Sequence, residues 1–104
     1  MTAKHTPGPW EVLVKERVGA PTVYIVRDRN ADELIRLSDK YFSNADANAR
    51  LIAAAPELLE TCKAARQLWN DFLTKKESFA DYASRAQQVQ SMLADAIAKA
   101  GGRT

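Results

Sequence analysis

The run Asn44 to Cys62, NADANARLIAAAPELLETC, reads as helix from end to end except at Pro56. Proline has no backbone N–H to donate, and its ring collides with the carbonyl four residues back. Together these cost a helix interior about 3 kcal/mol. Yet the apolar spacing passes through Pro56 without losing phase. Leu51 and Ala55 precede it; Leu58, Cys62, Ala65, Trp69 and Phe72 follow. Alternating steps of four and three residues make this a heptad seam, and Ile52, Leu59 and Leu73 widen the stripe. A full break would reset that register. Pro56 therefore either bends one helix or opens a second, roughly collinear one, where a missing donor in the first turn is harmless. The residue before a proline is pushed away from helical geometry. The spacing thus predicts a kink near Ala53 to Ala55, letting the first turns lie on a sheet while the rest forms a hairpin.

The ends of these helices are marked. Ser43 with Asp46 three residues on is a capping pair, and Ser78 with Asp81 repeats it. TKKE, from Thr74 to Glu77, breaks the first seam. A second seam follows: Phe79, Tyr82, Ala86, Val89, Leu93, Ala96 and Ala100, flanked by Met92 and Ile97. Gly101 and Gly102 then end the helix. So short a link makes the two helices antiparallel neighbours.

Upstream the period is two. In WEVLVKE, Trp10, Val12 and Val14 share one face and Glu11, Leu13 and Lys15 the other. TVYIVRD, Thr22 to Asp28, is rich in β-branched and aromatic residues. ELIRLS, Glu33 to Ser38, is a shorter third strand. The turns between them are too short for parallel crossovers, so the strands form an antiparallel meander. The predicted fold is α+β: a three-stranded antiparallel meander followed by a long, Pro-kinked antiparallel helical hairpin. It occupies one domain, 1–104, with an extended arm over 1–9, the meander over 10–38 and the hairpin over 43–100.

Charge is nearly balanced, 15 basic against 13 acidic residues, which argues against a dedicated polyanion binder. The single cysteine permits no internal disulfide, as suits a reducing cytosol. No basic-then-apolar leader opens the chain, and no apolar run approaches the ~18 residues of a membrane span.

Chemistry-bearing residues are scattered. The one histidine, His5, lies in the arm, a poor platform for catalysis. Cys62 falls on the seam and reads as a small core residue. Neither has companions for a metal site, and no glycine-rich phosphate loop exists. A non-enzyme without a cofactor is expected. Basic residues gather on the strands: Arg27 and Arg29 end the second, and Arg36 lies in the third. With Tyr24 they are candidates for stacking and pairing with a nucleotide, or for ordinary cross-strand packing. Arg85 and Gln88 belong to a polar, nearly uncharged face of the last helix, a candidate protein interface. Trp69, Phe72, Phe79 and Tyr82 gather at the hairpin tip beyond the reach of a small sheet. They are candidate self-association residues, so a homodimer or higher oligomer is expected.

Two segments carry a resemblance. HTPGPW, His5 to Trp10, and ANARLIAAAPELLE, Ala47 to Glu60, stand in the order and spacing of a widespread group of small phage and prophage proteins. That group opens with TPGPW and carries NARLIAAAPELLEAL before a variable tail. Here ETC replaces EAL, and nothing after Lys63 matches. The resemblance implies a phage accessory product working in the cytoplasm of an infected bacterium, and it carries over no catalytic residues. Such proteins often disarm host immunity by stoichiometric binding. The first expectation is an inhibitor of a host defence protein complex, of the anti-CRISPR type. The alternatives are a sponge for a cyclic nucleotide or ADP-ribose-type immune signal, and a DNA-binding regulator of the phage. The last fits poorly, because a long hairpin is not a helix-turn-helix.

Overall fold

The computed structural model describes residues 4–74 and 78–101. Three strands come first: β1 (Glu11–Lys15), β2 (Val23–Arg27) and β3 (Glu33–Ser38). Three helices follow: α1 (Ala45–Ala53), α2 (Ala55–Thr74) and α3 (Phe79–Lys99). The strands pair antiparallel in the order β1-β2-β3. Glu11 lies opposite Arg27 and Lys15 opposite Val23; Tyr24 lies opposite Leu37 and Ile25 opposite Arg36.

Asp28 builds the tight turn into β3. Its Oδ1 accepts hydrogen bonds from the amides of Asn30 and Asp32, both at 2.9 Å. Its carbonyl accepts from the Ala31 amide at 3.0 Å. Ala31 takes φ +66°, a left-handed conformation that an alanine rarely adopts. The register slips by one residue between Val26 and Arg27, an irregularity that helps turn the sheet edge.

One face of the sheet is covered by α1 alone. Ala45, Ala49 and Ala53, four residues apart, line the buried side of that helix and meet Val26 and Leu37. Their small side chains let the helix backbone come close to the strands. Trp10, Val12, Tyr24 and Ile52 close the edges of this core. The serine cap expected at Ser43 does not form. Asn44 is the N-cap, at φ −116° and ψ 37°, and its side chain makes no capping bond. Backbone bonds shape the entry instead, from the Phe42 amide to the Ser38 carbonyl and from the Ala45 amide to the Phe42 carbonyl.

The disturbance around Pro56 falls at one residue, Ala54. The Ala54 amide still bonds back to Arg50 at 3.1 Å, and its carbonyl accepts from Leu58 at 3.0 Å. Pro56 is therefore the second residue of α2. Its missing N–H is among the first-turn amides that have no partner within the helix. The run is thus divided into two helices at Ala54, in place of the single kinked helix expected: α1 lies on the sheet, and α2 leaves it to pair with α3.

That pairing is antiparallel. Glu57 meets Lys99 at 2.6 Å, Asp71 meets Arg85 at 3.0 Å, and the Phe72 and Tyr82 rings pack at a tilt with centres 4.5 Å apart. Ser78 caps α3, its Oγ accepting from the Asp81 amide at 3.2 Å. Gly101 ends it at φ +87°, the left-handed position glycine adopts without strain. Gly102 lies outside the described residues, as do 75–77 within TKKE.

The seam of α2 is not the one its spacing predicts. Thr61, Leu68 and Asp71 are buried, with Glu57 and Ala64 half-buried between them. Of the predicted seam, Cys62, Ala65 and Trp69 are exposed, as is Leu51 in α1, while Ala55, Leu58 and Phe72 are half-buried. Cys62 is thus an exposed thiol rather than a core residue. The helix has turned its polar and small residues toward α3. Those polar groups are satisfied mostly within α2, where Thr61 Oγ1 donates to the Glu57 carbonyl at 2.8 Å and Gln67 donates to Asp71 at 2.8 Å, while Arg85 of α3 donates to Asp71 across the hairpin.

Candidate functional site

Two surfaces stand out, and both follow from how the helices are turned. The first is the outer side of α2. Leu59, Cys62, Arg66, Trp69 and Leu73 recur at steps of three and four and are all exposed. Trp69 is 54 % exposed and Leu73 60 %. Trp69 stacks on Phe72 with ring centres 6.1 Å apart, and Phe72 in turn meets Tyr82. Phe79 projects at the start of α3, 77 % exposed. Of the four aromatic residues expected to gather at the hairpin tip, Trp69, Phe72 and Tyr82 are joined by ring contacts. Phe72 and Tyr82 are half-buried, and Trp69 is the exposed end of this chain of rings. Leu59, Trp69 and Leu73 thus leave an apolar ridge open to solvent on this side of α2.

The second surface lies where the arm crosses the helices. Gly8 rests on the Pro56 ring: a Cβ at Gly8 would stand 2.7 Å from Pro56 Cβ. The Trp10 indole donates to the Thr6 carbonyl at 3.1 Å, folding the arm back on itself, and His5 meets the Trp10 ring edge-on at 6.5 Å. The two sequence signatures are thus one structural unit, TPGPW laid across the α1–α2 junction. On one side of the arm a cavity of about 570 Å³ is lined by Trp10, Glu11, Arg29, Arg50 and Lys99, among others. On the other, a groove of about 900 Å³ runs between the arm and the α2–α3 base, past His5, Pro56, Glu57, Met92 and Lys99. Glu57 Oε2 is buried there without a hydrogen-bond partner among the described residues, while Oε1 binds Lys99.

The predicted nucleotide residues do not assemble. Tyr24 shares the α1 face of β2 with Val26. Arg27 and Ile25 alternate to the opposite face, and Arg36, in register with Ile25, lies there too. Arg27 is engaged by Glu11 at 2.6 Å. Arg36 grips Glu33 through two nitrogens, at 2.7 and 3.1 Å. That hydrogen bond, against an opposing desolvation and with the positive charges of Arg36 and Lys15 adding to it, holds the Glu33 carboxyl below its ordinary pKa. The same bond raises Arg36. Arg85 is turned inward to Asp71, so only Gln88 of that polar pair is a free surface residue. Of the predicted basic set, Arg29 lines the cavity of about 570 Å³, and its neighbours there are residues that sequence reasoning passed over. Arg50 and Lys99 look like solvated helix charges in sequence; only folding brings them to one place.

Among the described residues, no group of three or more His, Cys, Asp or Glu is placed to hold a metal ion. No described helix is long and apolar enough to cross a membrane. Compared with known families, the chain matches over residues 1–104 the one described as Salmonella phage P22 protein Y8K6. Neither a curated protein nor a solved structure matches it.

Proposed function

The chain belongs to the Salmonella phage P22 protein Y8K6 family, and on that premise we propose that it is a non-catalytic accessory protein of the phage. It counters host immunity by stoichiometric binding to a protein of a host defence complex. The observation that carries this reading is the outward apolar ridge of α2. The hairpin satisfies its own seam with Thr61, Leu68 and Asp71, and leaves Leu59, Trp69 and Leu73 to solvent. Exposed aromatic and leucine side chains on a rigid helix are good anchors for a protein partner. The near-neutral charge of the chain suits such a partner better than a polyanion.

The ridge also fits a second copy of the chain, and the two occupants are separable. Plaque counts on hosts carrying individual defence systems, with and without the protein expressed, test the function. Wild type should restore plating against at least one system. Trp69→Glu with Leu73→Glu should not, while keeping the helical circular dichroism. Equal protection by the double variant would overturn the reading, as would no protection against any system. Sedimentation of the purified chain identifies the competing case: a dimer that the double variant converts to monomer assigns the ridge to self-association.

A further inference from the structure

We infer that the cavity beside the arm is a binding site for a small phosphorylated ligand. Four segments distant in sequence form its walls: the arm entering β1 at Trp10, the β2–β3 turn at Arg29, α1 at Arg50 and α3 at Lys99. Three cations from three different elements thus open on one cavity of about 570 Å³, within the range of ~300–1,000 Å³ that small-ligand sites occupy. The lone acid of the wall, Glu11, is held by Arg27.

The donors are not used up. Arg50 gives its Nε to Asp46 at 2.8 Å, which leaves the two terminal nitrogens of the guanidinium. Lys99 gives one N–H to Glu57 and retains others. Arg29 is exposed on its turn and has no ion pair among the described residues, so its whole fork is available. With the Arg50, Lys99 and Glu11 charges each countered, Arg29 supplies the net positive charge. It is therefore the residue on which anion binding depends, and a guanidinium fork matches a phosphoryl group in geometry as well as charge. Trp10 adds an aromatic wall. Its indole N–H is already committed to the Thr6 carbonyl, so it offers ring surface rather than a donor. A ligand with a planar group beside its phosphate would use both halves of the cavity. This site is separate from the apolar ridge, and its occupancy does not depend on the function proposed above.

Titration calorimetry with inorganic pyrophosphate and with adenosine 5′-monophosphate tests the site on the full chain. Fluorescence in a Trp69→Phe background follows it in parallel, because Trp10 is then the only tryptophan. Saturable one-to-one binding that weakens with added salt is expected. Arg29→Gln should reduce the affinity about tenfold, and Arg29→Lys should recover part of it. Quenching of Trp10 by the nucleotide but not by pyrophosphate would mark a ligand with a planar group; equal affinity without quenching would mark the phosphoryl group alone. No binding of either compound at about 1 mM, or binding indifferent to Arg29→Gln, would overturn the site.

Discussion

Gly8 and Pro56 are in direct contact, so close that a single added methyl on Gly8 would stand 2.7 Å from Pro56 Cβ and 3.1 Å from its Cγ. The proline is buried under the arm at the point where α1 ends and α2 begins. Each residue accounts for the other. Proline supplies a rigid, donor-free platform in the first turn of α2, and only glycine leaves room for a chain to cross it.

Gly8→Ala should therefore destabilise the protein by about 1–3 kcal/mol, the usual cost of overpacking a rigid contact. Pro56 cannot yield, because its ring is fixed to the backbone. Thermal denaturation should show a fall in Tm of roughly 4–8 °C per kcal/mol for a chain of this size. Pro56→Ala keeps the Cβ but loses the ring contact and loosens the unfolded chain, and should cost about 1 kcal/mol. An unchanged Tm in both variants would separate the arm from the stability of the fold.

Ala31 carries strain that a substitution can release. Its φ of +66° is imposed by the Asp28 turn. A left-handed residue with a Cβ costs about 1–2 kcal/mol, and asparagine tolerates that region better than alanine does. Ala31→Asn should raise stability by about 0.5–1 kcal/mol, seen as a higher urea midpoint at an unchanged slope.

The Asp71 carboxylate is buried against α3, with Gln67 and Arg85 as donors. Arg85→Met should remove one charged donor to that carboxylate and cost about 1–2 kcal/mol, the lower part of the range for a buried pair because Arg85 keeps some solvent access. Adding Asp71→Leu should recover much of the loss, since two apolar groups can replace the pair at little cost. Urea unfolding of the three chains checks the cycle.

Glu33 and Arg36 supply a pH signature. The hydrogen bond from Arg36 lowers the Glu33 pKa in the folded protein. A depressed carboxylate contributes stability above its unfolded pKa, and that contribution is lost as pH falls through the folded pKa. Both side chains are exposed, so the effect is a local titration shift rather than a change in overall stability. A carboxyl-detected NMR titration should place the Glu33 midpoint below that of ordinary glutamates, and Arg36→Gln should move it back up.

Much of the architecture was legible along the chain, because its determinants are local. Alternation in Trp10 to Lys15, the β-branched run of β2 and the polar turn at Asp28 specify strands and their connections within a few residues. Ser78 and Gly101 mark the ends of α3 for the same reason: caps are satisfied by backbone groups three or four positions away. The disturbance near Pro56 follows from covalent geometry, but it falls at Ala54, one residue before the position that precedes the proline.

The rotation of α2 was decided only by tertiary structure. Heptad spacing identifies an apolar stripe but not the surface that covers it. The stripe at Cys62 and Trp69 is exposed, because Asp71 and Thr61 found partners within the hairpin while α1 occupied the sheet. The same limit hid the cavity: Trp10, Arg29, Arg50 and Lys99 are distant in sequence, and no local period relates them. The sequence determined which segments become strands and helices, since propensity, caps and proline geometry act over a few residues. Folding decided which side of each helix faces inward and which charges meet, since those depend on competition among surfaces that touch only once the chain has closed on itself.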